Sequence, residues 1–399
     1  MTKSDDKRVP ALRFKGFTDE WEQRKLENIT KRISRKNLNL DSTLPLTISA
    51  QYGLVDQRKF FDKQIASKKL ENYLLLKNGE FAYNKSYSKD YPFGAIKRLN
   101  NYKLGVLSTL YIAFKPVSIN TDYLEEYFDS TKWYKEIYKR ATEGARNHGL
   151  LNISPQDFFE LNLSIPNNRI EQERISEILK LLSLLITLQQ RKVKLINKLK
   201  NALLTHFISK TSSQSASKTL KDITNIRGGY AFKSSEFTKS GFPVIKIANI
   251  SQNGEIEGPY SYVLSLKSDY QLAKNDIVLA MSGATTGKIA RVNSNNIYLQ
   301  NQRVGYFVNN HKIDYNYLYY LLISDQFKRQ LERILISGAQ PNVSASDIEK
   351  FKFVILKSKK QQSKISTLFK HIDYVLKAGN NKMHTLIQIK QFLLQNMFI

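Results

Sequence analysis

The sequence predicts an α+β protein in which two similar mixed α/β domains are separated by two long antiparallel helices, with approximate (pseudo-) two-fold symmetry. Three observations support this fold class: two long amphipathic stretches, a repeat of the segments that precede them, and a polar linker between the halves. The stretches 172–208 and 362–399 contain no Pro. Their apolar side chains recur at steps of mostly three and four residues, which is typical of a helix with one apolar stripe.

The two stretches are copies of one helix, because each apolar position of the first has a counterpart 190 residues later. Gln189 interrupts the first stripe, and Gly379 takes its place in the second. Glycine costs about 1 kcal/mol relative to Ala in a helix, so we expect a kink or break at Gly379. The matching positions are Ile175, Leu179, Leu182, Ile186, Val193, Ile196, Leu199 and Leu203, then Ile365, Phe369, Ile372, Leu376, Met383, Leu386, Ile389 and Leu393.

The stretches before the helices repeat in the same order, so the chain is an internal duplication. For example, Leu26-Glu-Asn-Ile-Thr is echoed by Leu220-Lys-Asp-Ile-Thr. Residues 21–32 have the pattern of a short helix. The predicted organisation is a basic N-terminal lead at 1–16, a first domain at 17–166, a first long helix at 167–208, a flexible Ser-rich linker at 209–219, a second domain at 220–356 and a second long helix at 357–399.

The linker length favours antiparallel helices. A helix over 172–208 would be roughly 55 Å long. A parallel arrangement would require the chain to return along that length, whereas the linker 209–219 spans at most about 3.5 Å per residue.

The charge predicts a polyanionic partner. There are 62 Lys and Arg against 35 Asp and Glu, giving a formal net charge of +27. Nucleic acid is the most frequent partner of so basic a chain, and an anionic membrane surface or simple solubility is the alternative. There is no Cys, no secretory signal at the N-terminus and no apolar run of 18 residues, so we expect a cytoplasmic protein.

In the second domain, a glycine-containing turn and a following polar triplet are candidate DNA contacts. Gly283-Ala-Thr-Thr-Gly287-Lys288 is not a phosphate-binding Walker loop, which needs four residues between its glycines and Ser or Thr after the Lys. The turn either faces DNA or is purely structural. The triplet either contacts base edges or caps a strand. The candidates are Ser282, Thr285, Thr286 and Lys288 in the turn and Asn301, Gln302 and Arg303 in the triplet.

The first domain has counterparts of these candidate DNA contacts. The alternative interpretation is that they belong to a solvated basic loop. Two further loops follow a Gly-Ala pair in each half, and we expect them to be equivalent. The candidates are Lys85, Ser86, Tyr87, Lys97 and Arg98, with Arg146 and Asn147 in one Gly-Ala loop and Gln340 and Asn342 in the other.

No catalytic pattern is present. No Pro is followed by Asp, as a nuclease motif requires, and there is no Gly-x-Gly-x-x-Gly for a nucleotide-type cofactor. The five His residues have no metal-ligand spacing. We therefore expect no catalytic residue, cofactor or metal in this chain.

Over its full length the chain resembles the specificity (S) subunit of Type I restriction–modification systems. The resemblance is carried by the two-fold repeat and by Gln-x-x-Ile at the start of each long helix (Gln172 with Ile175, Gln362 with Ile365). It is also carried by Ser282–Ile289, with its Gly-x-x-x-Gly loop, and by Ser337–Ser344. The loop Asn84–Gly94 of the first half departs somewhat from the family pattern, since it is longer and less typical than the corresponding loop of the second half.

This resemblance implies two target recognition domains, each contacting one half of a bipartite, asymmetric duplex DNA target. It implies two modification (methyltransferase) subunits docked on the long helices, and restriction (translocase/endonuclease) subunits as further partners. S-adenosylmethionine, ATP and magnesium would then lie on those partners. The rival hypotheses are a non-catalytic helical scaffold that binds nucleic acid or membranes without specificity, and an enzyme with an unrecognised site.

Overall fold

The computed structural model describes residues 8–50, 52–62, 69–86, 88, 91–141, 151–209, 215–336 and 342–399. The chain forms two compact units. The first comprises residues 1–190 and 381–399, and the second comprises residues 191–380.

The first unit has a four-stranded antiparallel sheet in the order β2-β9-β6-β7, with three two-stranded pairs β1-β10, β3-β4 and β5-β8. Its strands are β1 Glu22–Lys25, β2 Thr30–Arg32, β3 Leu46–Ser49, β4 Gly53–Asp56, β5 Leu74–Lys77, β6 Phe81–Asn84, β7 Ala95–Arg98, β8 Leu104–Leu107, β9 Ile112–Pro116 and β10 Asn162–Ile165. Its short helices are α1 Leu26–Ile29, α2 Gln57–Phe61, α3 Thr121–Asp129, α4 Tyr134–Arg140 and α5 Pro155–Phe159.

Two long helices follow the globular segments: α6 Arg169–Ser209 and α11 Lys359–Asn396. The N-terminal half of α6 and the C-terminal half of α11 belong to the first unit, and the other two halves belong to the second. Opposite halves therefore pack together within each unit, as in the predicted antiparallel arrangement. In the first unit Lys390 Nζ donates to Ser183 Oγ (2.8 Å), and in the second Lys200 pairs with Asp373.

The second unit repeats the frame of the first. Its four-stranded sheet has the order β12-β20-β17-β18, β11 pairs with β21, and a five-stranded sheet β13-β15-β14-β19-β16 is added. The strands are β11 Ser215–Thr219, β12 Ile226–Arg227, β13 Phe237–Thr238, β14 Phe242–Ile245, β15 Ser261–Val263, β16 Gln271–Leu272, β17 Ile277–Ala280, β18 Ile289–Arg291, β19 Tyr298–Gln300, β20 Val304–Phe307 and β21 Lys352–Leu356. The helices are α7 Leu220–Ile223, α8 Tyr315–Leu322, α9 Asp325–Ile336 and α10 Ala345–Glu349. The predicted fold class is confirmed.

A glutamine joins each unit to its long helix in the same way. Gln172 Oε1 accepts from the N–H of Asn120, which caps α3, while its Nε2 donates to the Pro166 carbonyl oxygen (2.9 and 2.8 Å). Gln362 makes the same two bonds with Asp314, which caps α8, and with Leu356 (2.8 and 2.7 Å). The Gln at the start of each helix therefore fixes that helix to the end of a strand and to a second helix.

Three expectations need correction. α11 is continuous through Gly379, because a cost of about 1 kcal/mol is small against the packing of a long helix on either side. Residues 215–219 are not a flexible linker, since they form β11 and pair with β21. In the segment 21–32 only Leu26–Ile29 is helical, because the flanking residues pair with β10 and β9.

Candidate nucleic-acid interface

The turn between β17 and β18 in the second unit is closed by its own backbone. The Gly287 N–H donates to the Ala280 carbonyl oxygen (2.8 Å), and the Ala280 N–H donates to that of Lys288 (2.9 Å). Gly283 and Gly287 have φ values of +74° and +87°, a region that residues with a Cβ rarely adopt. Gly283 and Ala284 are exposed at the apex. The turn is therefore a rigid feature with an exposed tip.

The same turn lies against helix α9. A Cβ on Gly287 would lie 2.1 Å from Leu331 Cδ2, so only glycine permits this close approach. Thr286 Oγ1 donates to the Gly283 carbonyl oxygen (2.7 Å), so its hydroxyl stabilises the turn. Ser282 is buried. Thr285, Thr286 and Lys288 are partly exposed. The Thr285 Oγ1 atom itself is buried and has no hydrogen-bond partner within the described part of the chain.

Three segments that the sequence singled out separately meet at Met281. Its N–H donates to the Arg303 carbonyl oxygen (3.0 Å), and its carbonyl oxygen accepts from the Val343 N–H (3.0 Å). The turn, the triplet Asn301–Arg303 and the segment that begins at Asn342 are therefore neighbours. Gln302, Arg303 and Asn342 are exposed, and Asn301 is partly buried. This cluster presents amide, guanidinium and ammonium groups, the types that contact base edges and phosphates.

A fourth segment joins this cluster, and sequence reasoning missed it. The Tyr230 N–H donates to the Gln300 carbonyl oxygen (2.9 Å), and a Cβ on Gly229 would lie 2.1 Å from the Asn301 carbonyl oxygen. The Tyr230 ring lies 4.8 Å from that of Phe232, and Lys267 Nζ lies 4.9 Å from its centroid. The signal was the run Gly228-Gly-Tyr-Ala-Phe232, in which paired glycines allow close backbone approach and aromatics follow.

The buried side chain of Gln300 supports the backbone of the adjacent triplet Asn301–Arg303. It is fully buried, and its Nε2 donates to the carbonyl oxygens of Arg227 (2.8 Å) and Val304 (2.6 Å). Arg227 donates back to Gln300 Oε1, and its guanidinium lies 4.6 Å from the Tyr306 ring centroid. The backbone of the Asn301–Arg303 turn is therefore held in place by a buried polar network.

In the first unit, Lys97 and Arg98 take part in ion pairs. Lys97 Nζ lies 2.7 Å from Asp129, and Arg98 lies 2.6 Å from Asp122 and 2.8 Å from Glu125. Burial opposes the charge of Lys97, but the attraction and hydrogen bond of Asp129 raise its pKa overall. Both cations link β7 to α3. Contact with DNA stays a prediction for them, and it would require these pairs to be shared with phosphates.

The other first-unit candidates are only partly described. The Lys85 carbonyl oxygen accepts from the Leu151 N–H (2.9 Å), which ties the strand end to the segment before α5. Ser86 is exposed, and its N–H donates to Asn84 Oδ1 (3.0 Å). Tyr87, Arg146, Asn147 and Gln340 lie outside the described residues.

The described side chains bear on two other kinds of partner, metal ions and membranes. Among these residues, no group of three or more His, Cys, Asp or Glu side chains is placed to hold a metal ion. In the same part of the chain, no helix is long and apolar enough to cross a membrane.

Comparison with known proteins gives concordant matches. Residues 213–390 match the family model for the Type I restriction modification DNA specificity domain. The Type I restriction enzyme MjaVIII specificity subunit of Methanocaldococcus jannaschii is 25% identical over 316 residues, which are 72% of either chain. The crystal structure of a Type I restriction–modification S subunit from M. genitalium matches with a TM-score of 0.62 at 16% identity, covering 98% of this chain and 99% of that one. A chain from a structure concerning assembly of the type I R-M system matches with a TM-score of 0.57 at 12% identity, covering 95% of this chain and 97% of that one.

The chain thus has the fold of a solved Type I restriction–modification S subunit. The chain is similar over most of its length to Type I restriction–modification specificity subunits, and its residues 213–390 match the DNA specificity domain of those systems. Type I restriction–modification specificity subunits are non-catalytic, and this chain is similar to them.

Proposed function

We propose that the chain recognises a bipartite, asymmetric DNA target, with one half-site for each unit. The observation that supports this proposal is that the two units have the same sheet order and helix junction but different loops between equivalent strands. The four-stranded sheet order and the glutamine junction are the same in both. The connections between equivalent strands, residues 85–94 and residues 281–288, differ in length and sequence. Two units of the same fold with different DNA-contacting loops would recognise two different half-sites, separated by a spacer that neither unit contacts.

In the second unit the proposed contacts divide by chemistry. Gln302 and Arg303 are exposed beside the rigid turn and would contact base edges, Gln on adenine and Arg on guanine. Lys288 would contact phosphates, which position the duplex without specifying its sequence. Thr285 stays a candidate, and its buried hydroxyl would have to turn outward to reach a phosphate. The remaining candidates in this unit, Ser282, Thr286, Asn301, Gln340 and Asn342, would shape or extend the same surface. In the first unit, Lys85, Ser86, Tyr87, Lys97, Arg98, Arg146 and Asn147 stay the candidate contacts.

The long helices would dock two modification subunits, because each unit has an equivalent exposed apolar patch. In the first unit the patch includes Leu184, Leu185 and Ile389. The equivalent positions of the second unit are Tyr374, Val375 and Leu199, which are also exposed. Exposed apolar patches of this kind mark protein-interaction surfaces. Two equivalent patches would take two copies of one partner, one on each unit.

Catalysis would then belong to the partners. Modification subunits would bind S-adenosylmethionine and methylate adenine, and restriction subunits would use ATP and magnesium. We expect the assembled complex to act in the cytoplasm.

The bipartite proposal is tested by mapping adenine methylation across the genome with and without this chain. The expected result is a motif of two short half-sites that disappears on deletion. Replacing residues 220–356 by the corresponding domain of a relative should change one half-site only. A continuous motif, unchanged methylation on deletion, or a change in both half-sites would contradict the proposal.

The docking proposal is tested by native mass spectrometry of the complex. The double variant Leu184→Asp/Leu185→Asp should bind one modification subunit in place of two. Leu110→Asp, which changes an exposed residue of the same unit away from the long helices, is the matched control. Retention of two copies by the double variant would argue against docking on this face.

A further inference from the structure

The second unit has a basic groove on the side of α9 that faces α6 and β21. Its volume is about 350 Å³, and it is lined by Thr205, Gln326, Arg329, Gln330, Arg333 and Lys352. Arg329 and Arg333 are one helical turn apart and point along the same face. We define this set of residues as the α9 groove.

The three cations of the α9 groove have no acidic partner. Within the described part of the chain, no carboxylate lies within 4.0 Å of Arg329, Arg333 or Lys352. Glu332 is on the same helix but does not line the groove. The segments 210–214 and 337–341, which lie outside the described residues, contain no Asp or Glu. Among the described residues, the groove therefore carries three positive charges without an ion-pair partner.

The first unit has the same groove position with a different charge. α4 and α9 are equivalent, because Trp133, the N-cap of α4, and Ile137 within it are buried as Phe327 and Leu331 of α9 are. Ser130 and Ser324, which precede the two helices, each donate a hydroxyl to the carbonyl three residues earlier (2.6 Å). This equivalence places Lys135, Glu136, Lys139 and Asn162 where the second unit has Arg329, Gln330, Arg333 and Lys352.

The hydrogen bond at the base of the groove is kept while the charge changes. In the first unit Glu136 Oε2 accepts from the Asn162 N–H (3.3 Å), and its other oxygen pairs with Lys139 (2.6 Å). In the second unit Gln330 Oε1 accepts from the Lys352 N–H (2.8 Å). The exchange of Glu for Gln retains the bond to the strand but removes the carboxylate. With Lys in place of Asn as well, the net charge of the four positions rises from +1 to +3.

We propose that the α9 groove binds phosphates of the DNA duplex beside the half-site contacted by the second unit. This inference rests on the proposed function. Arg presents a planar fork of donors that matches phosphate, and two such forks lie one turn apart here. On its other face α9 carries Leu331, which lies against Gly287 of the turn between β17 and β18. The groove and this turn therefore both lie on α9. The first unit would lack this contact, because Glu136 pairs with Lys139 and the equivalent positions carry a net charge of only +1.

The proposal makes the α9 groove a positioning site rather than a specificity site. Phosphate contacts add affinity and salt dependence for every sequence but do not select bases. The second unit would therefore hold its half-site more tightly than the first, and weakening the groove would leave the recognised motif unchanged.

The test measures binding of the full-length chain to a fluorescent duplex of mixed sequence over a range of salt concentrations. Arg329→Gln/Arg333→Gln should lower the slope of log K against log salt by about 0.9 for each phosphate that the variant no longer neutralises. Gln330→Glu keeps the hydrogen-bond acceptor, reproduces the residue of the first unit and should weaken binding in the same direction. Lys135→Gln/Lys139→Gln removes the same formal charge from the first unit and is the matched control, expected to change the slope little.

The outcomes separate this inference from the proposed function. Equal effects of the two double variants would mean that only net charge matters, and would overturn the groove. Loss of binding to the modification subunits with unchanged DNA binding would show that the groove takes a protein, which also overturns it. In either case the proposed recognition of a bipartite target would be unaffected, because the methylation motif would still consist of two half-sites. If the wild-type chain, alone and with its partners, bound no DNA, the proposed function and the groove would fail together.

Discussion

Lys390 Nζ lies 3.1 Å from Glu126 Oε2 in the first unit, whereas its repeat counterpart, Lys200, faces Tyr320 in place of that glutamate. The second unit supplies a carboxylate from the long helix instead, because Asp373 stands where the first unit has Ser183. Tyr320 OH donates to this Asp373 (2.8 Å). Lys390 therefore pairs with carboxylates of the short helix, Glu126 and Asp129, whereas Lys200 pairs with a carboxylate of the long helix and lies over the Tyr320 ring. The ion-pairing residues of each short helix, α3 or α8, are therefore complementary to those of the long-helix segments that pack against it.

Glu126 should make the stability of the first unit depend on pH. Burial raises its pKa to about 7, although Lys390 opposes the shift. A carboxyl group whose folded-state pKa lies above the unfolded value of 4.5 stabilises the fold below that value and loses this contribution as the pH rises through about 7. We expect the free energy of unfolding to fall by about 3 kcal/mol between the unfolded and folded pKa values.

Tryptophan fluorescence during urea unfolding measures this effect, because both Trp residues, Trp21 and Trp133, lie in the first unit. The Glu126→Gln variant should show a weaker decline between about pH 5 and about pH 8. An identical pH dependence of variant and wild type would assign the effect to other groups.

The glutamine junction should be necessary for stability. Gln172→Ala leaves the Asn120 N–H and the Pro166 carbonyl oxygen without their partner at a nearly dry site. We expect a loss of about 2–4 kcal/mol, with faster hydrogen exchange at the first turn of α3. Gln23→Ala, at an exposed position on β1, is the control and should have little effect. A small effect at both positions would show that packing alone holds the junction.

Gly287→Ala should disturb the turn between β17 and β18 without unfolding the second unit. The new methyl group meets Leu331 and adopts an unfavourable φ of +87°, which together cost about 2 kcal/mol. DNA affinity should fall, and the thermal unfolding midpoint should fall by the several degrees that this cost implies while the unit stays folded at about 25 °C. The double variant Gly287→Ala/Leu331→Ala should recover part of the affinity, since it removes the clash but not the strain. No difference between single and double variants would place the whole effect in the backbone.

Arg303→Ala should relax the recognition of one half-site. Its side chain is exposed, while its backbone carbonyl is held by Met281, so the truncation leaves the turn intact. We expect a loss of about 1–3 kcal/mol of discrimination at one base pair. Methylation mapping would show a degenerate position in a single half-site. Degeneracy in both half-sites would contradict the assignment of one half-site to each unit.

The elements that the sequence revealed are those with a local signal. The long helices could be predicted because their period is intrinsic, and the duplication because Gln172 and Gln362 recur in register. The strand Glu22–Lys25 could not, because its partner, Asn162–Ile165, lies far along the chain. Lys97 and Lys288 look alike in sequence, and only the fold shows that one of them is paired with Asp129.

The division of the long helices between the units has a consequence for the order of events during synthesis. The second unit is one continuous segment, whereas the first buries Leu393, Met397 and Phe398 in its core. A growing chain can therefore complete the second unit before the first, although the first is translated earlier. Until the last turns of α11 leave the ribosome, the apolar surface that they cover stays open, and chaperone binding in that interval is the expected safeguard against aggregation.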